Sequence, residues 1–232
     1  MIRTARHRFL AVFSRCGFSE WANRVELGWF AGGGEFPAAM YLAQIPVLRI
    51  VCVILLICRF GAPQSAPRVF AEDLDGKTVD PFKASDGRIV VLFFVRTDCP
   101  ISNRYAPSIQ KLHEKFHGKA DLWLVYPDAD ETAARIRTHD QEFHLTIPAL
   151  RDVRRELVKR SRATITPESA VFDLNGKLMY HGRIDNWYED FGRSRSAPTT
   201  HELEDAIRNA LSGNAMIPDH ADAVGCYISD LK

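Results

Sequence analysis

Residues 88–104 read RIVVLFFVRTDCPISNR. The apolar run at 89–95, rich in Val and Phe, suits a β-strand buried on both faces. It leads through Arg96, Thr97 and Asp98 into Cys99 and Pro100. A proline is tolerated in the first turn of a helix, where its missing N–H has no partner to lose. Ile109, Leu112 and Phe116 then recur at helical spacing up to Gly118. One buried strand thus delivers a single cysteine to the start of a helix.

The chain beyond this unit follows the same plan. RVFAEDLDGKTVDPF alternates and turns at Asp75-Gly76, as a short hairpin does. DLWLVYPD is a second buried strand, and DETAARIRTHDQEFH predicts a helix with Ala133, Ile136 and Phe143 inward. RDVRRELVKRSRA predicts a short basic helix whose charges form a solvated face. A strand over 168–173 turns at Asn175-Gly176 and returns over 178–181 as an antiparallel hairpin. A final helix over 197–213 is expected to start on a capping box of Thr199 and Glu202 and to close at Gly213. His113, His117, His139 and His144 read as helix-surface residues. Parallel strands joined by helices, followed by an antiparallel edge, predict an α/β three-layer sandwich with a central mixed sheet and helices on both faces.

The first 66 residues differ from the rest. Residues 1–39 show no period and read as an unstructured extension upstream of a start at Met40. Residues 40–66 carry basic residues around a short apolar core at 50–58 and end in Gln64-Ser65-Ala66, the build of a secretory signal. An uncleaved membrane anchor through residues 45–58 is the alternative, although Arg49 interrupts the roughly 20 apolar residues a span needs. The expected organisation is extension 1–39, signal or anchor 40–66, folded domain 67–212, and a tail 213–232 without a strong period. With 25% charged residues and a formal net charge of +1, nothing calls for nucleic acid.

Removal of the first 66 residues would leave Cys99 and Cys226 of the five cysteines. There is no C-x-x-C, which disfavours a zinc ribbon or an attached c-type haem, and Ser102 stands where a second cysteine would be. The thiolate is the reactive form of cysteine, and a helix N-terminus favours it through unpaired N–H groups and partial positive charge. Asp98 opposes this, and Arg96, Arg104 or Arg183 would offset it by pointing at the sulfur. Ser102 can donate a hydrogen bond to the thiolate but cannot resolve a mixed disulfide.

These pieces resemble the thioredoxin-fold redoxins. VVLFFV feeding Cys99, TITPESAVFD, the hairpin DLNGKLMYHGRID and the closing helix occur in the order seen there, over about residues 67–212. CPISN and GRIDN are similar to an exported subgroup of the alkyl hydroperoxide reductase/thiol-specific antioxidant grouping. The sequence departs from the peroxiredoxin loop, with Thr97 two residues before the cysteine and Leu92 in place of a proline. It departs from thioredoxin at Asp98 and Ser102. The resemblance implies a Thr166–Pro167 loop, with a cis bond, facing Cys99.

The resemblance implies an exported thiol-dependent oxidoreductase, periplasmic or secreted and signal-cleaved or anchored, acting by peroxide reduction or thiol–disulfide exchange. The expected site residues are Cys99, Ser102, Thr166, Pro167, Arg183 and Cys226, with no cofactor and no bound metal. Partners would be a thiol or disulfide protein or a small thiol reductant. A second thiol must come from one of these or from Cys226. The tail can reach, since its fifteen residues from Leu211 span up to about 50 Å, and the resembling peroxidases also place a resolving cysteine in a C-terminal arm. Two other readings stay open. One is a copper or thiol-ligand carrier using Cys99, Cys226 and a histidine such as His181 or His220. The other is a redox-inert binding scaffold.

Overall fold

The computed structural model describes residues 68–85, 87–214 and 218–228. The expected extension, the signal or anchor segment, and Cys16, Cys52 and Cys58 lie outside the described residues. The first hairpin forms as β1 (Ala71–Asp73) and β2 (Thr78–Val79), followed by one turn of helix, α1 (Pro81–Ala84). The apolar run is β3 (Ile89–Phe94), and Cys99 is the N-cap of α2 (Pro100–Phe116). β4 (Ala120–Tyr126), α3 (Ala133–Glu142), β5 (Ala149–Arg151) and α4 (Glu156–Ser161) continue the chain. Next come β6 (Ile165–Thr166), β7 (Glu168–Phe172) and β8 (Leu178–Gly182). A small hairpin of β9 (Tyr188–Asp190) and β10 (Arg193–Ser194) precedes α5 (Glu202–Leu211), and the tail adds β11 (His220–Ala221) and β12 (Cys226–Tyr227).

The main sheet runs β11-β8-β7-β3-β4-β5-β1-β2. β3 lies at its centre, parallel to β4 and antiparallel to β7. Side chains alternate across a strand, so β3 feeds two apolar layers. Ile89, Val91 and Phe93 pack with Ile101, Tyr105 and Ile109 of α2 and Leu203 and Ile207 of α5. Val90, Leu92 and Phe94 pack with Leu157 and Val158 of α4. This is the mixed-sheet α/β sandwich that the element order predicts.

Five expectations need correction. β5 was not anticipated, because three residues are too short to show a period. The basic helix begins only at Glu156, since the buried Asp152 carboxylate accepts from the Glu156 and Val158 N–H groups and turns the chain first. The capping box does not form. Asn186 holds the Thr199 N–H at 2.7 Å, and His201 is the N-cap of α5. His139 is not on the surface: it lies three residues after Ile136 on the inner side of α3 and is 5% exposed. The tail, read as aperiodic, pairs twice: β11 runs parallel to β8, and β12 antiparallel to β6.

Candidate functional site at the Cys99 helix start

Cys99 follows β3 after a four-residue loop and adopts extended backbone before α2 turns. Its carbonyl accepts from Asn103 N–H, closing the first helical turn. The loop is fixed from below by α3 and the segment before it. Glu131 accepts from Thr97 at both the backbone N–H (2.7 Å) and the hydroxyl (2.6 Å). Asn103 donates to the Thr97 carbonyl, and its own amide oxygen meets His139 Nε2 at 2.9 Å. His139 Nδ1 in turn meets the Tyr126 hydroxyl at 3.0 Å. Burial pushes the Glu131 carboxyl above its usual range despite both Thr97 bonds, and its second oxygen has no partner among the described residues.

The site residues converge on the sulfur, with one exception. The Thr166–Pro167 bond is cis, and the Cys99 thiol donates to the Thr166 carbonyl at 3.2 Å. The Ser102 hydroxyl is buried in the first turn of α2 and has no hydrogen-bond partner among the described residues. Cys226 lies opposite Thr166 in the β12–β6 pair, so it meets the residue whose carbonyl accepts the Cys99 thiol. Both cysteines are free, and Cys99 is completely buried. Arg183 is the exception: it does not point at the sulfur but is bound through its guanidinium to Glu202. Asp98 is balanced locally by Arg96, at 2.9 Å.

The electrostatics of the two thiols are opposite. Burial alone would raise the Cys99 pKa. The Ser102 hydroxyl and N–H, the Cys226 thiol and the Ile101 N–H outweigh it and hold Cys99 below its ordinary value. Cys226 is pushed up to about 12, first by burial and then by its hydrogen bond and charge interaction with Cys99. Of the two thiols, Cys99 is therefore the one that ionises first.

Two quoted segments also meet. The Tyr105 hydroxyl, in CPISNRY, donates to the Asp185 carboxylate of GRIDN at 2.7 Å, and Asp185 accepts the Trp187 N–H. Sequence reasoning missed Glu131, Asn103 and His139 as supports of the cysteine loop; the Ile136–His139 spacing was the available signal for the last. His181 and His220 stack on each other at 4.3 Å between ring centres. Among the described residues, no three His, Cys, Asp or Glu side chains are placed to hold a metal ion. The carrier arrangement of Cys99, Cys226 and a histidine is therefore not assembled. Among the same residues, no helix is long and apolar enough to cross a membrane.

The AhpC/TSA family model matches residues 62–181. The chain belongs to the AhpC/TSA family. Two curated relatives, the thiol-disulfide oxidoreductases ResA of Bacillus thuringiensis and Bacillus cereus, are each 28% identical over 116 residues, covering 50% of this chain. The chain spans 66% of their length, just under two thirds. Among solved structures, an uncharacterized conserved protein from Geobacillus kaustophilus has a TM-score of 0.61 at 19% identity, covering 71% of this chain and 89% of that one. A hypothetical protein from Sinorhizobium meliloti 1021 has a TM-score of 0.60 at 19% identity, covering 71% and 91%. At that identity the two structures speak for the fold alone, and the fold is thioredoxin-like.

Proposed function

We propose that this AhpC/TSA member is a thiol–disulfide oxidoreductase in which Cys99 is the nucleophile and Cys226 the second thiol, in the place usually taken by a cysteine one helical turn on. The observation that carries this reading is that both cysteines meet at Thr166, whose carbonyl accepts the Cys99 thiol and whose backbone pairs with Cys226. The naming of both curated relatives as thiol-disulfide oxidoreductases supports it.

The chemistry follows from the order in which the two thiols ionise. The Cys99 thiolate attacks one sulfur of a partner disulfide, the partner S–S bond breaks, and the leaving sulfur departs as a thiolate that takes a proton from water. Cys99 is now in a mixed disulfide and carries no charge. The hydrogen bond and charge that held the Cys226 pKa up are gone, so Cys226 ionises more readily. Its thiolate attacks Cys99 Sγ, the mixed disulfide breaks, and the second partner sulfur leaves. Two electrons have passed to the partner, and the chain holds a Cys99–Cys226 disulfide. An external dithiol restores the pair by the reverse exchange. Peroxide reduction would end in the same internal disulfide, with water as the other product. We assign the reaction to a compartment outside the cytoplasm on the basis of the signal-like segment 40–66, where such disulfides persist.

Reduced protein is mixed separately with a model disulfide and with hydrogen peroxide while free thiols are counted. The reading expects the model disulfide to remove two thiols per chain in the parent and Cys226→Ser to stall as a mixed disulfide. A Cys99→Ser variant as active as the parent would refute it.

A further inference from the structure

We propose that residues 218–228 are a displaceable strap occupying, in cis, the seat that a partner's cysteine must take, and that this seat admits a segment with glycine immediately before its cysteine. The proposal rests on Cys99 being the exchanging thiol.

The tail returns along one edge of the molecule by main-chain contacts. His181 N–H donates to the Asp219 carbonyl and Arg183 N–H to that of Ala221, both at 3.0 Å. Beyond a short crossing, Cys226 faces Thr166, Tyr227 faces Ile165, and Ile228 N–H donates to the Thr164 carbonyl at 2.8 Å. Ile228 is buried in the Leu157–Val158 layer, whereas Tyr227 is exposed. Cys99 has no exposed surface, and the tail pairs with the Thr166 whose carbonyl accepts its thiol; on this proposal a protein disulfide reaches Cys99 only after the tail leaves. A two-residue ladder is the kind of element that opens locally at small cost.

Main-chain pairing at a strand edge supplies affinity, and the room for side chains supplies selection. Here selection is steric. A Cβ on Gly225 would lie 2.0 Å from the Thr166 carbonyl oxygen and 2.7 Å from its carbon. Both are rigid backbone atoms of the loop that also accepts from Cys99. A second close approach holds the start of the strap, where a Cβ on Gly182 would lie 2.1 Å from the Ala221 oxygen. A partner strand entering in the register of β12 meets the same wall at the position before its cysteine. The tail's own Gly225-Cys226 is thus both occupant and template.

The test uses the full reduced chain. Alkylation of Cys99 by iodoacetamide, mapped by peptide mass, should rise at least tenfold in Gly225→Ala and in Ile228→Ala, with loss of amide-exchange protection at residues 226–228. In the parent, urea below the unfolding transition should speed alkylation and tail exchange in step, which needs no variant. A released tail with unchanged Cys99 alkylation overturns the strap; a tail still protected in Gly225→Ala overturns the glycine seat. Selection is read with two peptides, AVGCYI and AVACYI, each as its thionitrobenzoate disulfide. Cys99 attacks the peptide sulfur and releases coloured thionitrobenzoate. The Gly peptide should react at least tenfold faster, and equal rates overturn the selection. If neither peptide reacts, the exchange reading falls and the seat with it, while alkylation alone judges the strap. If a small disulfide oxidises the parent regardless of tail release, exchange stands and the strap falls.

Discussion

Cys226 stands directly opposite Thr166 in an antiparallel pair, and the carbonyl of that same Thr166 accepts the Cys99 thiol. One backbone unit thus holds two cysteines that are 127 positions apart in the chain. The tail thus brings a second cysteine to the loop that accepts the Cys99 thiol, while Ser102 stands in the first turn of α2.

Ser102→Ala should raise the Cys99 pKa, because the thiolate loses a charge-assisted hydrogen bond. Such bonds contribute about 1.5–3 kcal/mol, which corresponds to about 1–2 pKa units. The thiolate absorbance near ~240 nm, followed against pH, reads the shift for a sulfur typically near ~8.5 when free. An unchanged titration would remove Ser102 from the site.

The paired thiols should titrate as one unit. One thiolate appears below the ordinary cysteine range, and the second only at about 12. In the unfolded chain both ionise near ~8.5. Cys226, whose folded pKa is raised, favours folding fully below that unfolded value and loses this contribution as pH rises toward about 12. Cys99, whose folded pKa is lowered, contributes above the unfolded value and loses it as pH falls through the folded one. Denaturant midpoints of the parent and of Cys226→Ala across alkaline pH separate the two; the Cys226→Ala curve should lack the high-pH loss.

Glu131 supports the cysteine loop while itself poorly satisfied. Glu131→Ala leaves the Thr97 N–H and hydroxyl without their acceptor and should cost about 1–3 kcal/mol, measured by urea unfolding at neutral pH. Because its folded pKa is raised, Glu131 contributes most when protonated, below its unfolded value near ~4.3, and that contribution is lost as pH rises through the folded pKa. Glu131→Gln should abolish this acid-side slope.

Arg183→Gln should leave the Cys99 titration where it is, since its guanidinium is bound to Glu202. Its stability cost should be at most about 1 kcal/mol, as for other partly exposed ion pairs. A shift in Cys99 ionisation would return Arg183 to the site.

Much of this fold was legible because its signals are local. The apolar run into Cys99-Pro100, the Asp75-Gly76 and Asn175-Gly176 turns, and the Thr166–Pro167 pair each mark an element within a few residues. What was not legible depends on contacts between distant segments. β5 and β12 are too short to show a period, and their pairing is decided by strands far away in sequence. Arg183 was expected at the sulfur on charge alone, but Glu202, 19 residues on, competes for it. The docking of the tail depends on Gly182 and Gly225, whose significance appears only when the facing carbonyls are in place.

The central claim is that Cys99 and Cys226 form one redox pair within a single chain. Non-reducing peptide mapping by mass spectrometry after mild oxidation of the full chain tests it most directly. The account predicts a Cys99–Cys226 disulfide within one chain, formed without loss of the fold. Cys99 recovered only as a sulfenic acid or a glutathione adduct, with Cys226 free, would contradict it, as would a link formed only between chains.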